Sequence, residues 1–281
     1  MNIGVIGLGL IGGSLALDLR HRGFAQQVVG VEADKAHAEA ALRLGLVDRV
    51  VDVAECVTQS DLIVLSIPVG AALTLLPALL DAVRGTEKTV IDVCSVKACM
   101  CAVVQDHPAR GRFVATHPMA GTEYSGPWAA MPGLFDGRAC ILCDAEASAP
   151  DAVKAVRSLY DTLNMRVISM GAQAHDMHVA YVSHISHVTS FALALTVLDK
   201  EKDEKHIFDL ASGGFSSTVR LAKSNPDMWV PILSENRDNV LRVIDTYLEK
   251  MRAFRTAIAD GDEAGVRALM EEANKIKRII R

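Results

Sequence analysis

The chain opens with MNIGVIGLGLIGGS, residues 1–14, and the fold is decided within this stretch. Asn2–Ile6 is an apolar run suited to a buried strand, and it leads straight into Gly7, Gly9 and Gly12. The spacing G-x-G-x-x-G is weak evidence alone, but here a strand pattern precedes it and a helical pattern, Gly12–Arg22, follows. In that context Gly7 makes a tight turn, Gly9 lets backbone approach a pyrophosphate, and Gly12 lets helix and strand pack closely. The backbone N–H groups at the start of the helix, around Leu10 and Ile11, then present donors to an anion.

Working outward, the same alternation continues. Strand-like runs at Val28–Val31, Leu62–Ile67, Thr89–Val93, Phe113–His117, Ala139–Cys143 and Arg166–Ser169 are separated by other segments. Helical spacing marks three of these, Lys35–Leu44, Leu73–Val83 and Val153–Leu163. Near-continuous Val, Ile and Leu runs joined by helices predict a parallel sheet covered on both faces. This is a doubly wound α/β domain of Rossmann type over residues 1–170. From residue 171 the β-branched runs stop, and helical spacing covers Ala180–Leu198, His206–Lys223, Met228–Ile258 and Asp262–Ile280. An all-helical part over residues 171–281 follows. Segments such as SFALALTVL, Ser190–Leu198, are more apolar than a solvent-facing helix needs, which predicts a homodimer through this part.

Composition narrows the function classes. Of 281 residues, 29 are Lys or Arg and 34 Asp or Glu, a formal charge of -5, which argues against a nucleic-acid partner. No basic residue precedes the apolar opening, and glycines punctuate it, so neither a targeting segment nor a membrane span is expected. Cys140 and Cys143 form a C-x-x-C, but in a strand their odd spacing points them to opposite faces. Free thiols in a reducing cytoplasm are the expectation for all six cysteines.

Glu32, directly after the second strand, is placed to accept hydrogen bonds from the ribose hydroxyls of an adenosine and to repel a 2′-phosphate. Asp34 adds negative charge nearby, position 33 is Ala33 rather than Arg, and Lys35 offsets part of this; NAD is expected over NADP. A second cofactor contact is expected where the next apolar run ends, at Ser66, Ile67 and Pro68. Ligands of open α/β sheets lie beyond the carboxyl ends of the strands. Two such ends carry chemistry: CSVK, Cys94–Lys97, and HPMAGTE, His117–Glu123. A histidine at that edge can take the proton of a substrate alcohol while hydride leaves for a nicotinamide. His117 is the candidate base, with Ser95 from the neighbouring strand end to orient it.

Five blocks occur in order: GLGLIGGS (7–14), DVCSVK (92–97), HPMAGTE (117–123), HISH (184–187) and GGFSSTVRLAKSNPDMW (213–229). Together they resemble the prephenate dehydrogenase family, which includes arogenate and cyclohexadienyl dehydrogenases of tyrosine biosynthesis, over nearly the whole chain. The resemblance implies oxidative decarboxylation of prephenate to 4-hydroxyphenylpyruvate with His117 as base and Ser95 supporting it. It implies Arg220 as the grip on a substrate carboxylate, Glu123 as a loop acid at the mouth, and His187, Gly213 and Trp229 near the substrate side chain. Arogenate is the alternative substrate, differing by an amino group in place of the keto group. A β-hydroxyacid dehydrogenase or a non-catalytic NAD-sensing dimer would share the two-part plan without needing both His117 and Arg220. The chain departs from the family pattern at Ser216 and Ser217, where relatives often carry a basic–acidic pair, and at Tyr124, where Lys is common. His175, His178, His184 and His187 do not read as a metal site, because on one helix the two pairs fall on largely opposite sides and no carboxylate trio completes them.

Overall fold

The computed structural model describes residues 1–202 and 206–279. Strands β1 (Asn2–Ile6), β2 (Gln27–Val31), β3 (Arg49–Val50), β4 (Leu62–Leu65), β5 (Thr89–Asp92), β6 (Phe113–Pro118), β7 (Ala139–Cys143) and β8 (Arg166–Met170) form one sheet in the order β3-β2-β1-β4-β5-β6-β7-β8. Helices α1 (Leu10–His21), α2 (Lys35–Arg43), α3 (Val53–Gln59), α4 (Val69–Val83), α5 (Ala98–Ala102) and α6 (Pro150–Thr162) connect them. The order reverses at β1, so the β1 and β4 ends form the crevice where such sheets bind ligands.

Side-chain alternation explains why the strands are apolar throughout. Ile63, Leu65 and Val90 enter one core with Leu76, Leu80 and Met100, while Leu62, Val64 and Ile91 enter the other with Leu15, Leu19 and Leu159. Both faces of β4 and β5 are therefore covered, and no position within these two strands faces water. Cys140 and Cys143 lie in opposite cores as their spacing predicts, and all six thiols are free.

One strand pairing departs from the expected parallel sheet. β7 runs antiparallel to β6, and β8 runs parallel to β7. A parallel return needs a crossover, usually a helix. Residues 119–138 instead hold only the short turn Pro127–Ala129 and lie along α1, with Met131 N–H donating to Ser14 Oγ (2.9 Å) and Gly133 N–H to Asp18 (3.0 Å). Phe135 then enters the core, and the chain re-enters the sheet from the opposite direction.

After the sheet come α7 (Ala172–Val179), a π-helical turn at Ala180–His184, α8 (Ile185–Glu201), α9 (Gly213–Thr218), a 3-10 turn at Arg220–Lys223, and α10 (Pro226–Glu235). The sheet ends at Met170, and the compact unit that contains it runs Met1–Asn236. Ala172 of α7, with Trp229 and Ile232 of α10, completes the core that holds α4. The helix expected over Met228–Ile258 is broken at Asn236, a buried residue whose side chain bonds elsewhere, and that expected over His206–Lys223 is a set of short turns. The remaining unit, Arg237–Arg281, contains α11 (Arg237–Ala259) and α12 (Glu263–Ala273), joined at Gly261 in the left-handed region with Asp262 capping α12. The expected end of the last helix at Ile280 lies outside the described residues. The helical stretch Ala172–Glu201, with mean hydropathy 1.3 in its most apolar window, is long enough by length and composition to cross a bilayer, a feature not expected from the sequence. It also carries buried hydrogen-bonded polar groups, described next.

Candidate active site

The glycine turn is built as its spacing requires. Gly7 has φ +95°, and a Cβ there would lie 2.2 Å from the Ser66 carbonyl oxygen, so the turn is pressed against the end of β4. A Cβ on Gly12 would lie 2.0 Å from the Gly7 carbonyl. Above Gly9, by contrast, a Cβ would meet nothing within 4 Å. No side chain caps α1, which leaves the N–H groups of Leu10 and Ile11 for an incoming anion. Glu32 bridges the turn and the next loop, its carboxylate accepting from Leu8 N–H (3.0 Å) and Asp34 N–H (3.1 Å). Asp34 caps α2 through His37 N–H (2.9 Å), and this backbone donor lowers its pKa. Pro68 begins α4 at the surface beside Ser66. These residues fit a dinucleotide: an open glycine, free N–H donors and a carboxylate at the ribose end.

His117 sits one residue before the end of β6 with about 8% of its surface exposed. Its Nδ1 lies 2.8 Å from Nε2 of His175, and His175 Nδ1 lies 2.8 Å from Asp176 Oδ1. The expected contact with Ser95 is not made: Ser95 is half-buried and the His117 ring turns to α7 instead. Burial, then the neighbouring His175, Lys97 and His184, push the His117 pKa well below the ordinary imidazole value of 6.5. The ring is therefore neutral at physiological pH, as a proton acceptor must be.

Beneath His117 the ends of β5 and β6 are tied by a buried ion pair. Lys97 Nζ bonds the Asp92 carboxylate and the Thr116 carbonyl (2.7 Å), while Asp92 accepts from Cys94 N–H (3.1 Å) and Thr116 N–H (3.2 Å). Burial opposes the Lys97 charge, but the Asp92 carboxylate holds its pKa above the usual value. The Thr116 hydroxyl bonds the Asp92 carbonyl and lies 2.6 Å from the Tyr160 hydroxyl, so this strand end is polar, fully bonded and rigid.

Arg220 Nη1 donates to Glu123 Oε2 at 2.7 Å, joining two candidates 97 positions apart. Glu123 has its pKa lowered first by its own backbone N–H and then by Arg220. The 3-10 turn carrying Arg220 is pinned to α8 by Ser190, whose hydroxyl donates to Thr218 O (3.0 Å) and accepts from Ala222 N–H (3.1 Å). His187 stacks on Trp229 with ring centroids 3.5 Å apart, and its Nδ1 donates to Ser183 O (3.0 Å). Its pKa is lowered by burial and by Arg220. His184, on the π-helical turn, meets the Trp229 edge, and burial holds its pKa at about 4. Gly213 begins α9 at the surface, and no hydrogen bond or ring contact joins it to this cluster; Ser216 and Ser217 are exposed beside it.

Asp176 and Asn236 are not marked by any motif, and His175 joins the site through contacts that its spacing does not show. Asn236 Nδ2 donates to the Asp176 carbonyl (2.7 Å) and lies 3.2 Å from His184 Nδ1, so one chain of contacts runs from His117 to Trp229 and His187. The sequence signal for this contact is the adjacent pair His175–Asp176 at the start of the helical part. Among the described residues, no group of three His, Cys, Asp or Glu side chains is arranged to hold a metal.

Residues 15–169 match the model of the prephenate dehydrogenase nucleotide-binding domain, and residues 171–272 that of the prephenate dehydrogenase dimerization domain. The chain belongs to the prephenate dehydrogenase family. It is 31% identical to a prephenate dehydrogenase of Bacillus subtilis over 91% of this chain and 70% of that one. It is likewise 31% identical to a cyclohexadienyl dehydrogenase of Zymomonas mobilis, over 93% and 90%. Among solved structures, the Aquifex aeolicus prephenate dehydrogenase, in complex with hydroxyphenyl propionate and NAD+, superposes with TM-score 0.86 at 28% identity, covering 99% of this chain and 97% of that one. The Synechocystis arogenate dehydrogenase superposes with TM-score 0.78 at 29% identity over the whole of both chains. Members of the prephenate dehydrogenase family thus share this fold while differing in named substrate. The apolar stretch Ala172–Glu201 lies within the residues matched by the dimerization-domain model.

Proposed function

We propose that this chain catalyses NAD-dependent oxidative decarboxylation of prephenate to 4-hydroxyphenylpyruvate, as a homodimer. The observation that carries the reading is His117: a neutral imidazole at a strand end, bonded through Nδ1, with no hydrogen-bond partner on Nε2 among the described residues. Gly7, Gly9, Leu10, Ile11, Gly12 and Glu32, with Ser66 and Pro68 beside them, would hold NAD, which would supply the hydride acceptor. Nε2 of His117 takes the ring hydroxyl proton as hydride leaves the same carbon; the ring carboxylate then departs as carbon dioxide, its bonding electrons make the ring an aromatic phenolate, and the proton returns from His117 to that oxygen. Arg220 suits a substrate carboxylate as a planar bidentate donor, and such an anion competes with Glu123 for it.

Arogenate is the second reading, favoured by the likeness to the Synechocystis enzyme. The donor set beside His187 supports prephenate instead. Asn236 Nδ2 must donate to the Asp176 carbonyl, so it also faces His184 as a donor, and His184 Nδ1 accepts. His184 Nε2 then carries a proton, and it and the Trp229 indole N–H are buried without a hydrogen-bond acceptor among the described residues. Two N–H donors suit the oxygens of a keto acid, whereas the ammonium of arogenate offers only donors. Following NADH formation with prephenate and with arogenate, each with NAD and with NADP, tests the reading. Faster turnover of prephenate with NAD is expected; equal or greater efficiency with arogenate would assign the chain to the second reading.

A further inference from the structure

The group that orients His117 comes from α7, beyond the sheet, and not from the neighbouring strand end. We propose that His175 and Asp176 form a positioning relay that fixes His117 in the tautomer whose Nε2 is the bare, proton-accepting nitrogen. The proposal rests on the reading of His117 as the base and adds the residues that make it one.

The proton positions follow from the end of the chain. An ionised carboxylate only accepts, so His175 carries its proton on Nδ1, 2.8 Å from Asp176 Oδ1. With its one proton on Nδ1, the His175 imidazole presents a lone pair at Nε2, and His117, 2.8 Å away, donates from Nδ1. That leaves Nε2 of His117 without a proton. The reversed arrangement would aim a lone pair of His175 at the carboxylate. Asp176 cannot drift, because Lys97 N–H (2.8 Å) and Ala98 N–H (2.9 Å) each donate to its carboxylate oxygens and Asn236 holds its carbonyl. His175, Asp176 and Asn236 are all buried, so water does not compete for these bonds. The adjoining π-helical turn, a rare form associated with functional sites, lets His184 face inward as His175 does.

The relay also answers a charge problem. Burial first, and then the neighbouring His175, Lys97 and His184, disfavour a positive imidazole at His117. Asp176, reached through His175, is the anion placed to stabilise the imidazolium that forms as the proton is taken. The Lys97 ammonium is already matched by Asp92.

The test uses the full chain and two independent readouts. Histidine ¹⁵N NMR at neutral pH is expected to show His117 protonated on Nδ1 and bare on Nε2, and Asp176→Asn to reverse or mix that tautomer. In steady-state kinetics Asp176→Asn should lower kcat by up to about 10⁴, the loss that follows when a buried carboxylate that sets an imidazole tautomer is made an amide. The substrate KM and the NAD affinity should stay within about threefold, as for an interaction made only in the transition state. Its acid limb should move to lower pH, since the imidazolium loses its anion. His175→Leu should lose kcat similarly, and His175→Gln, whose amide oxygen still accepts the Nδ1 proton, should recover much of it. A wild-type His117 protonated on Nε2 would overturn the relay, as would His175→Leu with normal kcat. Equal losses in the Leu and Gln variants with the tautomer unchanged would reduce these residues to structural ones and overturn it too. If the wild type turned over neither prephenate nor arogenate, the functional reading would fail, and the NMR arm alone would still decide the relay.

Discussion

At the scale of single residues the chemistry depends on one imidazole kept neutral. Replacing His117 by Asn keeps a polar side chain of similar size but removes the proton acceptor. Turnover is expected to fall by roughly 10²–10⁴, the usual worth of a positioned base, with NAD and prephenate still binding. Because burial lowers its pKa, the wild-type acid limb of kcat/KM should lie below pH 6.5; a limb above it would show that another group titrates. Arg220 is half exposed and paired with Glu123, so its loss is screened by solvent. Arg220→Gln should raise the prephenate KM by roughly ten- to hundredfold, the worth of a charge-assisted bond, and leave NAD affinity nearly unchanged. A fall in NAD affinity alone would place Arg220 at the cofactor instead.

At the scale of elements, the ends of β5 and β6 hold the site because a buried ion pair joins them. Lys97→Met removes one partner and leaves the Asp92 carboxylate uncompensated in a dry core. A loss of about 3–5 kcal/mol in unfolding free energy is expected, readable by urea denaturation. A loss below 1 kcal/mol would mean that Asp92 is solvated or protonated in the variant. The β1–α1 turn and the end of β2 act as one element, since Glu32 bonds Leu8 N–H. Glu32→Ser should therefore narrow the preference for NAD over NADP and also weaken NAD itself, as the turn loses an anchor. Equal catalytic efficiencies with the two cofactors in the wild type would remove the basis for this assignment.

For the whole molecule, two consequences follow from how the helical residues are exposed. Leu195 of α8 and Leu248, Met251 and Ile258 of α11 are exposed, as is Met270 of α12. Apolar surface of this extent is expected to be covered by a second copy, and sedimentation at micromolar concentration should find a dimer; a stable monomer would refute it. Stability should also depend on pH through the buried histidines. The His117 and His184 values are lower in the folded chain than in the unfolded one, where they return to about 6.5. Above that pH both states are neutral and the full stability is present. As pH falls below it, the unfolded chain binds the protons first, and stability declines down to the folded values, about 4 for His184. Urea midpoints at pH 7.5 and 5 should show the loss, and His184→Asn should reduce its size.

Much of this protein was written in local pattern. Period and spacing determined the glycine turn, the strands buried on both faces and the opposite faces of Cys140 and Cys143, because these depend on neighbours along the chain. Strand ends picked out His117, since the open edge of a parallel sheet is set by chain direction. Other features were decided only by packing. β7 runs antiparallel because residues 119–138 are taken up along α1, through bonds to Ser14 and Asp18 more than a hundred positions away. His117 turns to His175 and not to Ser95 because α7 and Asn236 bring Asp176 onto the Lys97 and Ala98 N–H groups. No spacing rule reports that, as the partners come from separate elements. Local sequence sets which atoms can accept a proton, and the tertiary contacts decide which nitrogen is left bare to do so.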